Sequence, residues 1–181
     1  MSAKMLGACV IGVLAAALAW PALVLAQPRA ASSCVTCHVE IGDERLIKPV
    51  KEFGEDIHAA KGFDCVACHG GDAKASGMEA MDAAKGFVGK PRRQDVPQLC
   101  GRCHSDARFM RRYNPSLRVD QVAEYVTSVH GRRLRELGDP KVAVCTSCHP
   151  AHSIRPASDP KSIALRMPAR VLTGACPPQA A

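Results

Sequence analysis

The sequence predicts a mainly α fold with extensive coil. Its short helices wrap around covalently attached groups instead of a self-sufficient apolar core. Three observations predict this. Leu, Ile, Val and Phe make up 29 of the 155 residues after position 26, about 19%. A chain that poor in large apolar side chains lies near the disordered boundary if it folds unaided. Aromatic residues are 4%, and the one tryptophan, Trp20, falls in the first 26 residues. Against this poverty stand 10 cysteines and 7 histidines, which must supply what the aliphatic side chains do not.

Residues 1–26 read as a secretory signal. Lys4 is a short positive region, Met5 to Leu25 is apolar, and Val24-Leu25-Ala26 suits cleavage before Gln27. The apolar run is also long enough to span a bilayer, so an uncleaved anchor is the alternative. Leu6-Gly7-Ala8-Cys9 resembles a lipoprotein signal, but it precedes the apolar run instead of following it. Export implies a periplasmic location, where cysteines are usually disulfide-bonded or otherwise covalently occupied.

Eight of the ten cysteines fall in four copies of one pattern: Cys34-Val-Thr-Cys37-His38, Cys65-Val-Ala-Cys68-His69, Cys100-Gly-Arg-Cys103-His104 and Cys145-Thr-Ser-Cys148-His149. C-x-x-C-H is the attachment signature of c-type haem. The two thiols form thioethers to the haem vinyl groups, and the adjacent histidine becomes the proximal iron ligand. Zinc half-sites, redox dithiols or disulfides would use the cysteines. None of them explains a histidine after every second cysteine. The pattern therefore predicts four covalently bound haem c groups. Cys34, Cys37, Cys65, Cys68, Cys100, Cys103, Cys145 and Cys148 would hold them, with His38, His69, His104 and His149 as proximal ligands.

Through these four motifs the chain resembles the bacterial periplasmic multihaem cytochromes c, the tetrahaem and doubled-CxxCH families, over roughly residues 32–158. The resemblance implies a fold with little or no β-structure, built on closely packed haems, and a role in electron transfer.

A two-haem module repeats. Between the first two motifs, Val50, Phe53 and Ile57 form a helical stripe ending beside His58; Pro49 suits its first turn and Gly62 its end. Between the last two motifs, Val122, Tyr125, Val126 and Val129 form a similar stripe beside His130, with Asp120 as a cap and Gly131 following. The expected organisation is a signal at 1–26, a first module at 27–69, a loop or hinge at 70–98 with a helical turn near Met78–Lys85, a second module at 99–154, and an irregular tail at 155–181.

His58 and His130 are candidate distal ligands, each expected to serve a haem of its own half. His152 lies too close to His149 to ligate the same iron; histidines just after the motif ligate a neighbouring haem in the tetrahaem cytochromes the chain resembles, and the resemblance implies that role as a candidate for His152. Four bis-histidine haems need eight histidines, and the chain has seven. At least one haem therefore differs. Met78, Met81, Met110 and Met167 are candidate sulfur ligands, and an open iron is the other possibility.

The formal charge of +7 falls to +6 without Lys4, and up to eight propionates would take it to about −2. The arginine-rich middle is thus read as propionate partners rather than a nucleic-acid surface. In the resembling families the chain after the fourth motif often continues to another; here Cys176 stands alone near the end.

The leading expectation is a non-enzymatic periplasmic electron carrier, with no catalytic residue apparent beyond the haem ligands. Its partners would be redox proteins: a periplasmic or membrane quinol dehydrogenase, or a terminal reductase. A membrane-anchored quinol-oxidising cytochrome and a small multihaem reductase using one open haem are the alternatives.

Overall fold

This computed structural model describes residues 32–156 and 158–162. The expected signal at residues 1–26, Met167 and Cys176 lie outside them. Among the described residues there are helices, turns and coil, and no strand. No described helix is long and apolar enough to cross a membrane.

Helix α1 (Ser33–Glu40) carries the first CxxCH motif. It packs on α2 (Glu44–Phe53), which Asp43 starts by accepting the Arg45 amide at 2.9 Å. Pro49, expected at a first turn, sits inside α2. Proline offers no amide for the helix ladder, so the α2 turn around it is weakened. The stripe from Val50 to His58 is not one helix. The chain turns at Gly54–Asp56 and restarts as α3 (Ile57–Ala60), capped by Asp56. Gly62, with φ of +84°, follows the end of α3 as expected.

Helix α4 (Val66–His69) holds the second motif. Residues 70–89 form a loop that closes on itself, with 3₁₀ turns at Met78–Met81 and Ala83–Lys85. Gly71 N donates to the Lys85 carbonyl, Asp72 N to Ala80, and Val88 N to His69. Gly70 makes this closure possible. Its φ is +68°, and a Cβ there would lie 1.9 Å from the Gly86 carbonyl oxygen.

The third motif ends α5 (Val96–His104), which a 3₁₀ turn at Arg93–Asp95 precedes. Short α6 (Ala107–Met110) follows, then α7 (Gln121–Thr127) and α8 (Val129–Leu137). The expected helix from Val122 to His130 is also split. Ser128 caps α8 by accepting the Gly131 amide, and Gly131 lies inside α8 instead of ending a helix. A Cβ at Gly131 would lie 2.0 Å from the Tyr125 carbonyl oxygen, so only glycine lets α8 fold back this closely on α7. Asp120 flanks α7 but accepts from Arg118 instead of capping. The fourth motif is α9 (Cys145–Cys148) with His149 following.

The apolar core is small, as the composition predicts. Its buried members among the described residues are Val96, Met110, Val142 and Val144. An aromatic cluster of Phe63, Phe109 and Tyr113 joins the two halves, with ring centres 5.3–6.2 Å apart. It packs against His58, whose ring lies 6.1 Å from Phe63.

Candidate haem-ligating site

In a helix, residues three and four apart share a face. The spacing C-x-x-C-H therefore puts both thiols and the imidazole of a motif on one side of a single turn. All four motifs sit in or at the end of such turns.

The motifs follow one another in space as they do in the chain. The Cys34 and Cys65 thiols lie close enough to perturb each other, as do those of Cys100 and Cys145. Cys68 and Cys103 interact electrostatically, and Arg102 Nη2 donates to the Cys68 carbonyl at 3.4 Å. As free thiols, Cys65 and Cys68 are pushed up, mainly by burial. Cys145 is lowered to about 7 because the Cys100 thiol donates to it, and Cys100 is pushed up in return. Thioether formation would remove these titrations.

Two motif histidines face two histidines from outside the motifs. His58 and His104 have ring centres 6.0 Å apart and planes at 87°. His69 and His152 have ring centres 5.9 Å apart and planes at 17°. Two metal–nitrogen bonds of about 2 Å each, plus roughly 1 Å from each nitrogen to its ring centre, place two trans imidazoles about 6 Å apart. Both pairs fit that span. Burial, then neighbouring imidazoles, push His104 and His152 down, favouring the neutral, metal-binding form.

Each pair has one imidazole held from behind. His58 Nδ1 lies 2.9 Å from Asp56 Oδ1. His69 Nδ1 donates to the Gly89 carbonyl at 2.7 Å. With Nδ1 carrying the proton, Nε2 of both rings is left as the ligating atom. Sequence reasoning missed Asp56 and Gly89. For Asp56 a signal existed: an aspartate two residues before a histidine at a helix start is a side-chain cap pattern.

The His58 pairing departs from expectation. His58 faces the motif histidine of the second half, not one of its own. His38 is half-buried on α1 and His130 half-buried on α8. The Tyr125 hydroxyl donates to the Ala143 carbonyl at 3.0 Å, which ties α7 to the segment just before α9. His149 is exposed and borders a cavity of about 470 Å³ lined also by Lys51, Arg155, Lys161 and Ser162. Glu52 and Glu55 line the same cavity and Glu55 pairs with Arg155, so its lining is of mixed charge. Of the candidate sulfur ligands, Met110 is buried, Met81 half-buried and Met78 77% exposed.

Most arginines with partners are matched inside the chain. Arg45, Arg92, Arg118, Arg133, Arg135 and Arg155 all pair with carboxylates. Arg93 donates to the Val142 carbonyl at 3.1 Å and Ser147 Oγ at 2.8 Å, anchoring the fourth motif.

No curated protein and no solved structure matches the chain. A family model described as cytochrome c3 matches residues 57–161, which take in the second, third and fourth motifs and His58, His130 and His152. That match spans more than half of the 181 residues and places the chain in the cytochrome c3 family of multihaem electron-transfer proteins with covalently bound haem c.

Proposed function

We propose that the chain is a periplasmic carrier that holds four haem c groups and passes electrons along them between redox proteins. The observation that carries this reading is the pair of imidazole couples at about 6 Å, each joining one CxxCH histidine to one histidine from elsewhere. Bound haem supplies a reversible one-electron change at iron, set by its axial ligands and surroundings.

The chain's own residues do the rest. The cysteine pairs of the four motifs fix each group by two bonds. His104 and His58 would hold one iron between them, and His69 and His152 another. His38 and His149 would serve as proximal ligands of the first and last haems. His130, on the helix folded back against α7, is the distal candidate for one of these. The spatial succession of the motifs, from Cys34–Cys65 through Cys68–Cys103 to Cys100–Cys145, supports a row of haems in chain order. The donor and acceptor are expected to be a quinol dehydrogenase and a terminal reductase or their periplasmic relays.

Mass spectrometry of the purified protein, with a haemochrome assay, tests the count and the loss of residues 1–26. Four haems per chain, low-spin and inert to small ligands, are the expected outcome. Fewer than four sinks the row. One high-spin, ligand-reactive haem would favour a reductase using the odd iron.

A further inference from the structure

Asp56 is the most buried side chain described, only 1% exposed, and it is a carboxylate. Burial of an unpaired carboxylate is costly, so its partners matter. Oδ1 accepts the His58 backbone amide at 2.8 Å and faces His58 Nδ1 at 2.9 Å. Oδ2 accepts the Ile154 amide at 2.8 Å, and the Ile57 amide in turn donates to the Ile154 carbonyl at 2.8 Å. Ile154 is two residues from His152, which sits in the left-handed region with φ of +69°. A non-glycine residue in that region persists only where its surroundings fix it. One side chain thus braces both the turn that carries His152, whose ring lies 5.9 Å from His69, and the His58 ring, 6.0 Å from His104.

We propose that Asp56 is a positioning residue shared by two axial ligand pairs, and that its carboxylate holds the haem between His58 and His104 at a lowered potential. This rests on the ligand pairs proposed above. A carboxylate behind an imidazole N–H raises the basicity of the ligand and favours ferric iron; a carbonyl does so less. His58 has the carboxylate, whereas His69 has the Gly89 carbonyl. The same buried charge also lies close enough to His152 to act on it electrostatically.

The test compares holoprotein of the wild type, D56N, D56A and E55Q by electron paramagnetic resonance and redox titration. Near-perpendicular imidazole planes give a highly anisotropic low-spin ferric signal, and near-parallel planes a rhombic one, so the two haems are told apart. D56N keeps an acceptor at Oδ1 but loses the charge and the bond to Ile154. The expected result is an upward shift in potential, larger for the anisotropic haem, with its signal retained. D56A should weaken the anisotropic signal and broaden the rhombic one. Glu55, paired with Arg155 at the surface, carries the same charge one residue away; E55Q should leave the anisotropic haem unmoved. Unchanged potentials in D56N, or a shift in E55Q as large as in D56N, overturn the role of Asp56. A wild-type spectrum lacking both signals instead overturns the ligand pairs, and this inference with them.

Discussion

His58 and His104 stand edge to face, with ring centres 6.0 Å apart and planes at 87°. The other couple, His69 and His152, has nearly the same span but planes only 17° apart. Two sites with the same ligands should therefore differ in the splitting of their iron orbitals.

The first prediction uses that difference. The ferric protein should show one highly anisotropic and one rhombic bis-histidine signal. His58→Ala should remove the first and spare the second, and His152→Ala should do the reverse. Loss of both signals from either variant would contradict the separate pairing.

Gly70→Ala tests the loop behind the second motif. Both the positive φ and the 1.9 Å approach to the Gly86 carbonyl oppose a side chain there. The expected cost is about 1–3 kcal/mol, read as a lowered thermal midpoint. Because the same loop carries Gly89 against His69, the rhombic signal should be lost earlier on heating than the anisotropic one.

Acid should weaken the fold through exposed aspartates. Asp43 is lowered to about 2 by its hydrogen bonds from Arg45, and Asp120 is lowered by Arg118. Asp72, Asp139 and Asp159 are lowered first by backbone amides and then by Lys85, Arg133 and Arg155. A depressed folded pKa means stability present above the ordinary value near 3.8 and lost as pH falls toward about 2. The aspartates should leave thermal midpoints flat from neutrality to about pH 5 and lower them below it, while a decline that starts near 6.5 belongs to His104 and His152, which burial keeps neutral. Added salt should blunt the effect at such exposed pairs. A decline already complete at pH 5 would point to other groups.

Haem-free protein should be largely disordered. With Val96, Met110, Val142 and Val144 as the buried apolar residues described, the polypeptide has little else to gather around. Circular dichroism of a variant with all eight motif cysteines replaced should show no cooperative thermal transition. A sharp one would mean the chain folds on its own contacts.

The fold class and the motif turns were legible because both rest on local information: poor aliphatic content, and C-x-x-C-H spacing that matches one helical turn. The breaks before Ile57 and Val129 were not. The apolar stripes run through them with helical periodicity, and only the capping bonds of Asp56 and Ser128 reveal a restart. His58 and His130 could be singled out because they stand on apolar stripes in a chain poor in apolar residues, and His152 by its place just after the fourth motif. Their partners could not, since which imidazole meets which depends on contacts such as Ile57–Ile154 and Phe63–Phe109 that no short stretch encodes.

The crossing of these ligands has a consequence for biogenesis. Polypeptides emerge amino end first. On the proposed ligation, the haem bound at Cys65 and Cys68 would wait for His152, near the end of the described chain, to complete it. His58, made earlier, would wait for the third haem to arrive. The second haem would then be completed after the third, and a molecule lacking its last segment would be left incomplete at its second haem.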